Sequence, residues 1–115
     1  MPIWGITFYP PSNEQDSPYD YILTLASPDE KAHILRRLDT LRKLELGEWP
    51  HTWIHKISDE IWQLTAGSNR IMYCLDEKTL VVLHACRKQG QKTRPQDIQR
   101  AEIHHAEYMA QKRGR

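Results

Sequence analysis

Cysteine is scarce in this chain of 115 residues. Only Cys74 and Cys86 are present, which is too few for the disulfide frameworks that stabilise small secreted domains. Both lie in apolar runs typical of strands, so we expect them to be small buried hydrophobic residues. The spacing of the cysteines and histidines matches no metal-binding motif. The sequence therefore predicts no metal and no other cofactor.

Long hydrophobic runs are also missing. No apolar stretch approaches the roughly 20 residues that cross a membrane, and residues 1–11 lack the basic and long apolar regions of a secretory signal. Hydrophobic residues make up 39% of the chain and charged residues 27%, which excludes a largely disordered chain. We therefore expect residues 1–115 to form one domain, in a cytoplasmic protein that has no membrane partner.

Basic residues are the minority among charged residues in the first part of the chain, and acidic residues are scarce in the last part. Residues 1–86 carry 8 Lys and Arg against 12 Asp and Glu, whereas residues 87–115 carry 8 against 3. A basic C-terminal part favours a polyanionic partner. The alternative is that these cations only solvate the end of the chain.

The N-terminal half contains one predicted strand and two predicted helices. Residues 3–9 are rich in β-forming residues and end at two prolines, which predicts a strand. A short helix is expected after Ser17, and a longer one after Ser27, where Glu30 completes the pattern of a capping box. Apolar residues recur every three or four positions along the longer helix, and we expect Gly47 to end it.

The C-terminal half predicts four more strands and a helix. The strands are expected over residues 53–57, 61–65, 70–75 and 79–85, and the last is apolar on both faces, as in a central strand. A capping box at residues 93–96 predicts the start of a C-terminal helix, which we expect to close over one edge of the sheet. The fold class is α+β, with a mostly antiparallel twisted sheet, N-terminal helices packed on one face, and a C-terminal helix.

A basic loop follows the last predicted strand. Arg87, Lys88, Lys92 and Arg94 surround Gly90 in this segment. Mobile cations beside a glycine suit contact with phosphate groups. The sheet and its basic exit, residues 61–93, therefore predict a platform for an anion or RNA.

Short motifs follow one another over half of the chain: His55-Lys56-Ile57, Asp59-Glu60-Ile61-Trp62-Gln63-Leu64, Asn69-Arg70-Ile71-Met72-Tyr73, Val82-Leu83-His84-Ala85, residues 88–93, and Asp97-Ile98-Gln99-Arg100-Ala101. In this order and spacing they resemble the phage-derived, HigB-like branch of the RelE/ParE toxin superfamily. The resemblance implies a RelE-like fold.

The resemblance also implies a function. Such proteins are toxins of type II toxin–antitoxin systems, and they are metal-independent endoribonucleases that usually cut messenger RNA on the ribosome. The expected partners are a cognate helix-turn-helix antitoxin, which neutralises the toxin, and the ribosome with its mRNA; operator DNA is reached only through the antitoxin. Two alternatives stay open: a ParE-like toxin that poisons DNA gyrase, and a catalytically weak phage-derived binding protein.

Site residues follow from the same resemblance by position. The implied catalytic residues are Arg70, His84, Arg87, Lys88 and Tyr108. The implied contacts to RNA or phosphate are His55, Lys56, Lys92, Arg94 and His104. Each of several residues has a structural alternative: Arg70 pairs with Asp76 or Glu77, His84 is a hydrogen-bonded core histidine, Lys56 protects a sheet edge, and Tyr108 packs in the core.

The sequence departs from the family pattern on the sheet. Thr65 stands where an arginine is expected, and Gln63 stands in place of a glutamate. In the basic loop, Gln89-Gly90 replaces a lysine and a threonine, and Arg94 displaces a proline. Loss of a cation at Thr65 is the main support from the sequence for the catalytically weak alternative.

Overall fold

The computed structural model of the protein describes residues 3–25 and 27–114. In chain order the elements are β1 (Gly5–Phe8), α1 (Pro18–Leu23), α2 (Pro28–Arg42), a 3-10 turn (Leu46–Glu48), β2 (Ile54–Lys56), β3 (Trp62–Ala66), β4 (Asn69–Asp76), β5 (Thr79–Arg87) and α3 (Pro95–Arg113). The order of one strand, two helices, four strands and one helix confirms the predicted α+β fold. No helix within the described ranges is long and apolar enough to span a membrane.

The five strands form one sheet in the order β1-β5-β4-β3-β2. Strands β2 to β5 pair antiparallel through successive hairpins. Strand β1 is separated from β5 by most of the chain and pairs with it in parallel, an arrangement that requires a long connection between the two strands. Strand β5 therefore lies inside the sheet, in agreement with its predicted apolar character on both faces.

Helices α1 and α2 cover one face of the sheet, here called the first face. Ile22 of α1 and Leu38 of α2 pack there against Leu64, Ile71 and Val82. Three tryptophans and a tyrosine, Trp4, Trp49, Trp62 and Tyr73, form tilted or edge-to-face ring contacts in this same layer, a geometry that aromatic rings favour.

Helix α3 covers the opposite face, here called the second face. Ala101 packs in a cluster with Met72, Cys74, Val81 and Leu83 of β4 and β5. The expectation that α3 closes over an edge of the sheet is therefore wrong. Because β4 and β5 carry apolar side chains on both faces, the second face needs a cover of its own.

A β-bulge in β5 decides where His84 lies. Met72 is opposite His84, but the next residue, Tyr73, is opposite Val82, so that Leu83 is an extra residue. The extra residue shifts the alternation of side chains. After it, Ala85 packs on the first face and Cys86 on the second, while His84 reaches α3. A regular strand would send His84 to the first face.

Two N-caps agree with the sequence. Ser17 and Ser27 accept hydrogen bonds from the backbone N–H groups of Asp20 and Glu30, which satisfies first-turn donors of α1 and α2. The Glu30 carboxylate does not complete a capping box. It instead accepts from Asn69 of β4 and Arg87 of β5.

The predicted end of α2 at Gly47 is wrong. The helix ends at Arg42, and Gly47 lies in the 3-10 turn that follows. The last carbonyls of α2 need no glycine cap, because donors from distant parts of the chain reach them. The backbone N–H groups of Ile3 and Trp4 bond Arg42 O, and the Trp49 indole donates to Leu41 O.

The predicted capping box of α3 is also wrong. The N-cap residue is Arg94, and no side chain caps the helix there. Thr93 instead donates its hydroxyl to Gln63 Oε1 over 2.6 Å. The Thr93 hydroxyl, which the local pattern assigns to capping of the helix, therefore forms a tertiary contact with the sheet.

Candidate active site

Strand pairing collects polar side chains on the second face. His55 is opposite Gln63, Gln63 is opposite Met72, and Met72 is opposite His84. Directly opposed residues point to the same side of a sheet. A second row runs through Thr65, Arg70 and Cys86. The predicted site residues His55, Arg70 and His84 therefore share one face.

His84 and Asp97 form a hydrogen-bonded dyad between β5 and α3. His84 Nε2 lies 2.9 Å from Asp97 Oδ1, and Arg94 Nε donates to Asp97 Oδ2 over 2.9 Å. Burial acts to raise the pKa of Asp97, but its hydrogen bonds with Arg94 and His84 outweigh burial and hold that pKa below its usual value. Asp97 is therefore a carboxylate that accepts hydrogen bonds from both neighbours.

Burial lowers the pKa of His84, even though the hydrogen bond to Asp97 acts in the opposite direction. The imidazole is then neutral at neutral pH, and it donates Nε2–H to the ionised carboxylate. The lone pair lies on Nδ1, which no hydrogen bond from the described residues reaches. The side chain keeps 15% of its surface exposed. The dyad can therefore accept a proton from a bound molecule at Nδ1.

Arg70 holds the backbone of the basic loop. Its guanidinium donates to three successive carbonyl oxygens, those of Gly90, Gln91 and Lys92, over 2.8 to 3.1 Å. The residue is only 4% exposed. The alternative prediction was that Arg70 pairs with Asp76 or Glu77 near the β4–β5 turn, and Arg70 contacts neither of them. In this conformation its donors serve the loop, and its predicted catalytic role stays a prediction.

The two ends of the basic loop are fixed as well. The backbone N–H of Lys88 donates to Ser68 O over 2.7 Å, and Thr93 bonds Gln63 at the other end. The side chains of Lys88 and Lys92 are exposed, and neither forms an ion pair with any residue that the structure describes. The loop that connects the strand of His84 to the helix of Asp97 therefore presents two cations on a backbone that is held at both ends.

Arg87 and Lys56 lie on the first face, away from the dyad. Arg87 forms an ion pair with Glu30 over 3.1 Å, and Lys56 lies over the ring of Trp62, 5.3 Å from its centroid. The predicted catalytic role of Arg87 and the predicted RNA contact of Lys56 stay predictions, but the sheet separates both side chains from His84.

His104 and Tyr108 lie further along α3. His104 is buried, and its Nδ1 donates to Leu83 O over 2.6 Å. Tyr108 donates its hydroxyl to Asp76 Oδ2 over 2.6 Å and packs edge-on against Tyr9. Tyr108 lies eleven positions after Asp97, which corresponds to about 16 Å along a helix. The structure thus brings Tyr108 to a different end of the sheet from His84.

Asp76 anchors the end of α3 through Tyr108 and Lys112. These bonds, that of Lys112 first, hold the pKa of Asp76 below its usual value. A folded-state pKa below the unfolded value of about 3.9 adds stability above that pH, and the stability is lost as the pH falls toward the folded pKa.

We expect Asp76→Asn to lower the free energy of unfolding by about 1 kcal/mol at pH 7 and to weaken the dependence of that free energy on pH below 5. Urea denaturation measures both effects. Glu77→Gln, with the same change of charge, is the control; an equal loss there would contradict the anchor.

Three residues of this region carry atoms that could bind a metal ion. His84, Cys86 and Asp97 each offer one donor atom, and these atoms all lie within 4.8 Å of one another. Cys86 is 8% exposed, and burial followed by the nearby Asp97 raises the pKa of its thiol to about 12. Cys74 and Cys86 are both buried free thiols, as the sequence predicts.

Sequence reasoning did not predict that Asp97 and Gln63 contact residues of the site, or that Glu30 pairs with Arg87. Asp97 carries a usable signal, since an acidic residue in the first turn of a predicted helix marks its N-terminal end. Its contact with His84 also depends on the bulge in β5, which no local pattern reveals. Gln63 and Glu30 contact residues of distant elements, and spacing in the sequence does not reveal such contacts.

A family model for the phage-derived protein Gp49-like (DUF891) matches residues 21–105. The match covers well over half of the chain, from α1 to the middle of α3. The chain belongs to this family. Gp49-like proteins are associated with the toxins of toxin–antitoxin systems. The matched region contains the whole of the basic loop and the His84–Asp97 dyad, while Tyr108 lies beyond it. No curated protein matches the chain.

Proposed function

We propose that this Gp49-like protein is the toxin of a type II toxin–antitoxin system and a metal-independent endoribonuclease that cuts messenger RNA on the ribosome. The family supports a toxin. The observation that supports a nuclease is the neutral His84, oriented by Asp97 and placed beside a basic loop of fixed backbone. A cognate helix-turn-helix antitoxin neutralises the protein in this proposal.

The dyad supplies the base of the reaction. His84 Nδ1 takes the proton of a ribose 2′-hydroxyl, and the oxygen attacks the adjacent phosphorus. The new O2′–P bond forms as the P–O5′ bond breaks, which leaves a 2′,3′-cyclic phosphate, and the departing 5′ oxygen takes a proton from water. Asp97 stabilises the imidazolium that forms on His84, as a buried carboxylate does for other catalytic histidines.

The loop cations supply electrostatic stabilisation. Negative charge develops on the phosphate oxygens as the pentacoordinate state forms, and preorganised cations lower the energy of that state. Lys88 and Lys92 are exposed on the loop, and Arg94 is held against Asp97 at the start of α3. These three are the proposed phosphate contacts, with His55 on β2 as a further contact to RNA.

Arg70 acts on the loop in this proposal, and through the loop on the RNA. One planar guanidinium serves three carbonyls, a task for which its fixed fork of donors is suited. Thr65 stands where the family pattern has an arginine. Arg37 donates to Thr65 O, but its guanidinium lies over the ring of Trp53, so it does not supply the missing cation. The proposed site therefore relies on the loop for its cations.

Expression in bacteria tests the proposal. Induction of the wild-type protein is expected to arrest growth and to produce cuts in ribosome-associated messenger RNA, mapped by sequencing of 5′ ends. Induction of a DNA-damage response without RNA cuts would indicate a gyrase poison instead. Absence of any phenotype, with the protein shown to be folded and present, would favour a binding protein without activity.

A further inference from the structure

His84, Cys86 and Asp97 carry a nitrogen, a sulfur and an oxygen donor at one point of the second face. Two of the residues follow the bulge of β5, and the third lies in the first turn of α3. All three donor atoms lie within 4.8 Å of one another. Regular elements hold them, so the set does not depend on the conformation of a loop.

We propose that these three residues form a binding site for Zn²⁺. A tetrahedral zinc ion has bonds of about 2.0 to 2.3 Å to nitrogen, oxygen and sulfur ligands, which places the ligand atoms about 3.3 to 3.8 Å apart. Donor atoms within 4.8 Å need to close by no more than about 1.5 Å to reach that geometry, a shift within reach of side-chain rotation. Three protein ligands leave the fourth position for water.

The surroundings of Asp97 suit a ligating carboxylate. Oδ1 faces His84, while Oδ2 is held by Arg94, so one oxygen can bind the ion and the other keeps its partner. Outer hydrogen bonds of this kind orient metal-binding carboxylates. The imidazole, thiolate and carboxylate also form a mixed donor set, which selects Zn²⁺ or Co²⁺ over the hard cation Mg²⁺.

Binding is balanced by the loss of one proton. The Cys86 thiol releases its proton to solvent and binds as the thiolate. The Nε2 proton of His84 is replaced by one on Nδ1, so that the Nε2 lone pair binds the metal. The charges of the thiolate and of the Asp97 carboxylate then compensate the two charges of Zn²⁺.

Metal binding and proton transfer exclude each other at His84. Once Nε2 binds the ion, Nδ1 carries the proton and no longer accepts one. Zinc therefore inhibits RNA cleavage, a consequence that rests on the proposed function, whereas the binding itself does not.

Titration of the purified protein with Co²⁺ tests the binding. We expect one equivalent to produce the near-ultraviolet charge-transfer band of a thiolate–cobalt bond, and Zn²⁺ to displace it. Cys74→Ser is the matched control, because Cys74 is also buried on the second face, and it should keep the band. Cys86→Ser should lose it. Absence of the band in the wild-type protein would overturn the site, and so would persistence of the band in Cys86→Ser. Neither result can arise from poor folding of a variant.

RNA cleavage with and without Zn²⁺ tests the consequence. Zinc is expected to reduce cleavage by the wild type and by Cys74→Ser. It should leave cleavage by Cys86→Ser unchanged, because a serine hydroxyl can replace the Cys86 thiol in its hydrogen bond with Asp97 but binds zinc weakly. Equal inhibition of all three would overturn the link to this site. A protein that binds Co²⁺ through Cys86 but never cleaves RNA would retain the metal site and reject only the proposed function.

Discussion

Replacement of His84 with alanine is expected to lower the rate of RNA cleavage about 10²- to 10⁴-fold, the usual range for loss of a positioned general base. His84 provides the neutral imidazole of the dyad, and Asp97 holds its Nε2. Alanine leaves Asp97 without a base to orient. Single-turnover cleavage of a short RNA at pH 7.5 measures the rate of the chemical step.

RNA binding should change little in the same variant, because a neutral side chain contributes no charge to the phosphate contacts. Asp97→Asn should also lower the rate, since an amide has no negative charge with which to stabilise the imidazolium or to form an ion pair with Arg94. His105→Ala is the matched control, as this half-buried histidine lies on α3 outside the dyad, and it should keep full activity. Wild-type rates for His84→Ala would remove the dyad from the mechanism.

Local patterns in the sequence predict most of the fold. Alternation along residues 70–75 separates Ile71 and Tyr73 from Met72 and Cys74, and the structure places the two sets on opposite faces. Serines followed by prolines mark the starts of α1 and α2 for the same local reason. These features depend on neighbours within a few residues, which the sequence displays directly.

Errors arise where a distant partner takes a group that a local pattern assigns elsewhere. Thr93 bonds Gln63 instead of capping α3, and the end of α2 is satisfied by Ile3, Trp4 and Trp49 instead of a glycine. Both contacts form only after the sheet and helices assemble. Helix ends are therefore the part of this fold that sequence patterns describe least well.

The candidate site is predictable as a set of residue types but not as an arrangement. The family resemblance suggests His84 and the composition suggests the basic loop, but neither reveals that the bulge at Leu83 turns His84 toward Asp97. Neither gives any sign that Arg87 faces Glu30 on the first face. One extra residue in a strand changes which face a side chain reaches, and that shift depends on pairing with β4.

Arg70→Ala is expected to reduce RNA cleavage about 10²-fold, because a displacement of catalytic groups by about 1 Å costs that much. The guanidinium bonds three loop carbonyls, and its removal frees the backbone that presents Lys88 and Lys92. Cleavage of the loop by trypsin after Lys88 and Lys92 should become faster, because both side chains are exposed and the backbone loses its restraint. Arg70→Lys should not restore activity, since a single ammonium lacks the planar fork of donors.

The dependence of RNA affinity on salt separates this role from direct phosphate contact. Loss of one phosphate contact reduces the slope of log affinity against log salt by about 1. Lys92→Ala should show that reduction while tryptic cleavage after Lys88 stays as slow as in the wild type, whereas Arg70→Ala should keep the wild-type slope. The opposite pattern, a reduced slope with an unchanged rate of tryptic cleavage in Arg70→Ala, would make Arg70 a phosphate ligand. In that case the loop would have to open before RNA binds, because the guanidinium that serves the three carbonyls is buried.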